Sequence, residues 1–164
     1  MKMNKVINYL RELNPTIFVA IGLAILLVYG FITAIAAETL GVVELDPAGI
    51  QQNIRDEGLI IFYFMLAIVA PLVETAISQK LLYFLLRKIK WLEANPLYIA
   101  IIAGLFFGLS HTYSLAYVIL ACGAGFLFMC FYIIRFGRGS YWLTAIIHSL
   151  YNIIVTTIDI AQPE

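Results

Sequence analysis

Apolar residues fall into five long blocks, about 16–37, 59–86, 97–112, 115–134 and 140–160, separated by short polar connectors. Blocks of this length with few charges are the pattern of membrane-spanning helices. Ahead of the first block, residues 2–13 place Val6, Leu10 and Leu13 at helical spacing, with Lys2, Lys5 and Arg11 elsewhere. That reads as a short interfacial helix, ended by Asn14-Pro15. The connector 38–58 is polar, and its Asp46-Pro47 pair has the chemistry of an N-cap and first turn, so a short surface helix is expected there. The third block is the short one. From Pro96 to His111 it covers only about 22 Å, less than a hydrocarbon core of about 30 Å. It is expected to stop within the bilayer, with an irregular turn at Thr112-Tyr113-Ser114 that must lie against protein or a water-filled cavity.

Composition narrows this to one class. With 63% hydrophobic and 12% charged residues, the chain is not a soluble domain of its length. The formal net charge of zero hides a segregation. Lys2, Lys5 and Arg11 precede the first span, Arg87, Lys88 and Lys90 follow the second, and Arg135 and Arg138 follow the fourth. The acids Glu38, Glu44, Asp46, Asp56 and Glu57 crowd the first connector, and Asp159 and Glu164 lie near the end. The positive-inside rule then puts the N-terminus in the cytoplasm and the C-terminus outside, with five crossings. Trp91, Tyr98, Tyr141 and Trp142 sit where interface anchors belong. The first apolar run is long and has no convincing small-residue cleavage site, so no cleavable signal peptide is expected. Cys122 and Cys130 lie about two turns apart on one helix, too far for a disulfide. The expected fold is all-α, a single polytopic membrane domain over 1–164, with about five transmembrane helices after the interfacial helix.

Glu74 is the only acidic residue deep within a long apolar segment, and both histidines, His111 and His148, also lie in such segments. Ionisable groups in hydrocarbon are costly, and they generally face a protein interior or wet cavity where they act. Their depths agree. Glu74 lies about 20 Å along its helix from Arg87, and His148 and Asn152 lie about 12 and 18 Å from Ser140. With the value for His111, these overlap within ordinary helix tilt, so the four side chains can meet near mid-membrane. His148 and Asn152 are four residues apart and share a helix face, and Phe107 and His111 have the same spacing.

A glutamate-containing motif, Phe-x-x-x-His and His-x-x-x-Asn, in this order on separate spans, resemble the CPBP family of intramembrane proteases. That family includes the CAAX prenyl endopeptidases and the Abi-type bacteriocin-immunity homologues. The resemblance covers about residues 60–160 and implies an intramembrane endopeptidase. Glu74 matches the first glutamate of the family's Glu-Glu-x-x-x-Arg motif, which with the histidine matched by His111 would activate the attacking water. His148 and Asn152 match the pair that would stabilise the oxyanion. The expected partners are membrane lipid and a peptide or membrane-protein substrate, with no nucleic acid. The expected setting is a prokaryotic plasma membrane.

The chain departs from that motif where Thr75 replaces the second glutamate and Gln79 the arginine. A lost ion pair of this kind leaves two neutral groups, which can hydrogen-bond across a turn. Losing one partner alone would strand a charge. Ser78, four residues after Glu74, can support the carboxylate or satisfy its own backbone. Lys80, near the cytoplasmic end, is expected to snorkel away from Glu74. No cofactor is expected. The alternative is zinc held by Glu74, His111 and His148, which would then require another carboxylate as base, and the sequence offers none at that depth. Two further readings stay open. One is a catalytically inactive relative that binds a membrane peptide or partner in an immunity or chaperone-like role. The other, a proton-coupled carrier, has no visible inverted repeat behind it.

Overall fold

The computed structural model describes residues 5–41, 56 and 58–161. These residues are helical, with no strand among them. Helix α1 (Lys5–Glu12) occupies the segment expected to be an interfacial helix, and α2 (Pro15–Thr39) follows it directly. The Asn14 side chain caps α2 by accepting the Thr16 N–H at 2.9 Å, and Pro15 fills the first turn, where a missing donor costs nothing. Helix α3 runs unbroken over Leu59–Leu86. A short helix α4 (Lys90–Ala94), which the hydrophobic pattern does not announce, leads into α5 (Pro96–Leu109). Helix α6 (Leu115–Ile134) is capped by the Ser114 hydroxyl, which accepts the Tyr117 N–H at 3.1 Å, and α7 (Ser140–Ile160) ends the bundle. The short helix expected at Asp46-Pro47 lies outside the described residues.

Four helices, α2, α3, α6 and α7, are long and apolar enough to cross a membrane. The chain is a polytopic helical membrane protein, as its apolar blocks indicate. Helix α5 is shorter than its block and ends at Leu109, not near residue 112. At 14 residues it reaches about 21 Å, so it stops inside the thickness of the bundle. The cause is local. The Ser110 hydroxyl donates to the Phe107 carbonyl at 2.6 Å, taking an acceptor that continued helix would have used. His111 therefore sits in the turn after α5 and not on its face.

Helix α6 is the centre of the bundle and touches α1, α2, α3, α5 and α7. Its closest partner is α5, and small residues make that approach possible. A Cβ added at Gly104 would lie 2.6 Å from the Cys122 carbonyl oxygen, and one added at Gly125 would collide with the Phe107 side chain. The Ala121-x-x-x-Gly125 pattern is thus a close helix contact, of the kind small residues permit between membrane helices. Tyr29 of α2 lies over Gly123 and donates to the Leu120 carbonyl at 2.9 Å. Cys122 and Cys130 are both free thiols.

The basic clusters meet at one end of the bundle. Arg135 is 5% exposed and donates from one nitrogen to the carbonyls of Arg11 and Leu13, both at 2.8 Å. Arg11 returns the favour at 3.2 Å to the Phe136 carbonyl just beyond α6. Each arginine therefore satisfies the C-terminal carbonyls of the other's helix, where positive charge is favoured. An Arg138–Glu12 ion pair joins the same elements, and Arg87 packs over Phe136 at 5.0 Å. Gly137 and Gly139, with φ of 79° and 73°, carry the left-handed turn that lets α7 start beside this cluster.

Two substitutions test this packing. Gly104→Ala is expected to lower stability by about 1–3 kcal/mol, because the obstacle is backbone and cannot swing away. Arg135→Met strands the Arg11 and Leu13 carbonyls at a cost of about 1–3 kcal/mol. Thermal unfolding in detergent checks both, and limited proteolysis near residue 13 should accelerate only in Arg135→Met.

Candidate active site

Helix α3 carries the first functional group, and its hydrogen-bond register decides where that group points. Two stretches, Met65–Val69 and Thr75–Leu81, are π-helical. In the first, the Ala70 N–H reaches back five residues to the Met65 carbonyl. Continued in that register, the Leu66 carbonyl would look to residue 71, which is proline and has no N–H. Asn152 of α7 supplies the missing donor, its side-chain amide reaching the Leu66 carbonyl at 3.0 Å. In the second stretch the Leu82 N–H reaches the Ile77 carbonyl, again five residues back. The widened turn faces Thr75, Ser78 and Gln79 inward, with 0%, 4% and 0% exposure. Widened turns of this kind recur at functional sites.

Between the two stretches stands Glu74. One of its oxygens, Oε2, lies 3.8 Å from His111 Nε2 and 3.7 Å from His148 Nε2. Of the four side chains expected to meet near mid-membrane, Glu74, His111 and His148 converge, and Asn152 is hydrogen-bonded to the Leu66 carbonyl. The three converging side chains are 30%, 16% and 5% exposed respectively, so the carboxylate is the most accessible member of a largely enclosed cluster.

The turn after α5 fixes the chemistry of His111. Its Nδ1 lies 2.7 Å from the Phe107 carbonyl, which can only accept. Nδ1 therefore carries the hydrogen, and in the neutral ring Nε2 presents a lone pair toward Glu74. Ser110 completes the arrangement, its oxygen 3.1 Å from the same Nδ1. A carboxylate oxygen and a bare imidazole nitrogen are both acceptors. At 3.8 Å they cannot bond one another, but a water can donate to both.

His148 is held by rings. Phe128 lies 4.3 Å from it and Phe107 5.8 Å, centroid to centroid, and Phe107 also contacts the His111 ring at 4.4 Å. Phe107 is thus a wedge between the two histidines, and its backbone oxygen orients one of them. Phe128 is 1% exposed and belongs to the site wall. Tyr117 and Tyr113 line the other side of His111, with centroids at 6.0 and 6.4 Å. The sequence carried no signal for these tyrosines, because they lie in and just after a turn whose path no hydrophobic period describes.

The supporting residues behave differently from expectation. Thr75 and Gln79 do not bond across a turn, and neither their side-chain polar atoms nor Thr144 Oγ1 and His148 Nδ1 have a protein partner. Ser78 is buried beside them and makes no hydrogen bond to Glu74. The register between α3 and α7 is antiparallel: Tyr63 meets Thr157, Leu66 meets Asn152, and Glu74 meets His148. By that register Thr75 and Gln79 lie level with the first turns of α7, near Thr144. A layer of neutral polar groups thus lies about one turn below the Glu–His cluster. No set of three or more His, Cys, Asp or Glu side chains with metal-holding geometry occurs among the described residues.

Bundle and cluster together define an integral membrane protein with a carboxylate and two imidazoles gathered inside its apolar core. Residues 56–154, well over half of the chain, match the model of the type II CAAX prenyl endopeptidase Rce1-like family, and the chain belongs to that family. The matched segment holds Glu74, Thr75, Gln79, Phe107, His111, His148 and Asn152, and the activity at family level is that of a CAAX-type intramembrane protease. No curated protein and no solved structure shows significant similarity to the chain.

The link between Pro71 and Asn152 can be measured as a coupling. Asn152→Ala is expected to cost about 1–3 kcal/mol, since it leaves a buried carbonyl unmatched. In a Pro71→Ala background a backbone N–H is available to that carbonyl, and the same change should cost distinctly less. A double-mutant cycle on thermal unfolding reads the difference, and additive costs would contradict the link.

Proposed function

We propose that this protein is an intramembrane endopeptidase that hydrolyses peptide bonds in or near the bilayer with a glutamate-activated water. The observation that carries the proposal is the meeting of Glu74 Oε2 with the Nε2 atoms of both histidines at 3.7–3.8 Å, with the His111 lone pair directed at the carboxylate. A water between Glu74 and His111 donates a hydrogen bond to each. Glu74 takes its proton as the oxygen attacks the substrate carbonyl, and then delivers that proton to the leaving amine. His148, with its proton on Nε2, faces the same point and donates to the oxygen on which negative charge develops. The Asn152 amide has two N–H groups, of which one is committed to Leu66, and the second is the further donor in this mechanism.

The mechanism proposed is metal-independent. Glu74 serves as the base only if it is not a ligand, and a water shared by two acceptors already has what it needs to be deprotonated. Thr75 and Gln79 are supporting residues in this reading, filling the buried α3 face beside Glu74 without a buried ion pair. The basic end of the bundle, with Arg11, Arg87, Arg135 and Arg138, is assigned to the cytoplasmic side by the positive-inside rule, which places the N-terminus there and the C-terminus outside.

Purified protein in detergent, given a panel of fluorogenic membrane-proximal peptides, tests this reading. Glu74→Gln is expected to reduce cleavage by at least about 10²-fold while leaving the thermal midpoint close to that of the parent. A chelator should have no effect on the parent protein. Loss of cleavage on chelation would restore the zinc alternative at Glu74, His111 and His148. Full cleavage by Glu74→Gln would end the glutamate assignment, and a folded parent that cleaves nothing across the panel would favour a peptide-binding relative.

A further inference from the structure

Away from the Glu–His cluster, a groove of 520 Å³ opens between α3 and α6 toward the basic end. Ala76, Lys80 and Phe84 of α3 and Arg87 just after it form one wall, and Tyr132 of α6 and Phe136 just beyond it form the other. Two of its apolar lining residues, Leu81 and Phe84, are about half exposed. Within this apolar setting sit two cations. Lys80 and Arg87 are seven residues apart, two helical turns, so both reach the same groove. The Lys80 side chain is exposed, its ammonium lies 5.4 Å from the Tyr141 ring, and no carboxylate among the described residues pairs with it. Arg87 pairs through one nitrogen with Glu93 at 3.2 Å, and its guanidinium is spread over Phe136 and Tyr83 at 5.0 and 5.7 Å. Two positive charges against one negative leave the groove with an excess cation at a depth where charge is expensive.

We infer that this groove is a binding site for one anionic glycerophospholipid, with its phosphate at Arg87, its ester oxygens at Lys80 and an acyl chain along Ala76 and Phe84. Two cations set in an otherwise apolar and aromatic wall carry the assignment. Arg87, at the helix end, offers a planar donor fork suited to a phosphodiester. Lys80 lies about 10 Å further along the axis, and its stem follows apolar surface while its ammonium seeks oxygen. Apart from these two cations the wall is apolar or aromatic, with Leu81, Tyr83 and Phe84 between them and Ala76 beyond Lys80, as a hydrocarbon chain requires. A lipid combines the matching groups: a phosphate and ester oxygens for the cations, and acyl chains for the apolar wall. Charge selects the headgroup. A zwitterionic lipid would bring its own cation toward Arg87 and Lys88, whereas an anionic one neutralises the excess.

The test is thermal unfolding in detergent with dioleoyl phosphatidylglycerol or dioleoyl phosphatidylcholine, together with native mass spectrometry to count retained lipid. Phosphatidylglycerol should raise the midpoint by several degrees and remain bound as a single adduct, and phosphatidylcholine should do neither. Lys80→Gln, a change at an exposed side chain, should keep the lipid-free midpoint and lose most of the phosphatidylglycerol increment, while Lys80→Arg should keep both. Equal effects of the two lipids, or a full increment in Lys80→Gln, would overturn the site. Inorganic phosphate giving the same increment would replace the lipid with a simple anion and overturn it equally. None of these readouts uses peptide hydrolysis, so the inference stands or falls separately from the proposed activity.

Discussion

The alignment of α7 with α3 depends on one hydrogen bond, from the Asn152 amide to the Leu66 carbonyl. Hydrocarbon has no donors to offer, so a carbonyl that proline leaves unmatched must be answered from within the protein. Here the answer comes from the helix that carries His148, one turn before Asn152. The bond therefore does more than satisfy a backbone group: it sets the axial register that brings His148 Nε2 to 3.7 Å from Glu74. Tyr63–Thr157 on one side, and Tyr141 reaching the Leu72 carbonyl at 3.1 Å on the other, hold the same alignment.

The remaining members of the cluster are positioned by different means. His111 is placed by a turn, through the Phe107 carbonyl and Ser110, and His148 by the rings of Phe107 and Phe128. All of this rests on the close α5–α6 contact, because Phe107 lies directly against Gly125. At the basic end the crossed arginines Arg11 and Arg135 fasten α1 to the end of α6. The middle of the bundle is thus organised by neutral hydrogen bonds and rings, and its end by charge, in keeping with the cost of desolvating each kind of group.

Much of this was legible in the sequence, for identifiable reasons. Helices α2, α3, α6 and α7 begin and end close to their apolar blocks because hydropathy and chain length leave a membrane segment few options. Glu74, His111 and His148 stood out because ionisable groups are rare in such blocks. What stayed hidden was set by hydrogen-bond register and not by hydropathy. A π-helical turn has no composition of its own, and a four-residue spacing places Thr75 and Gln79 near one another without fixing whether their side chains bond. The commitment of Asn152 to Leu66 depends on which carbonyl Pro71 orphans, and that changes with the register. Helix α4 is too short and polar to leave a periodic trace, and the early end of α5 follows from one serine hydroxyl.

The two π-helical stretches of α3 give the helix an unusual relation to chain length. Each is equivalent to one residue inserted into an α-helix and retained. Removing a residue from Met65–Val69 would let ordinary α-helix close up, and would turn everything before it by about 100° relative to Glu74. Tyr63 and the Leu66 carbonyl would then leave the α7 face. Removing one from Thr75–Leu81 would swing Lys80 and Arg87 off their groove while the Glu–His cluster kept its place. In this helix the count of residues is itself a structural element, and frame-preserving deletions discriminate between its two halves where substitutions cannot.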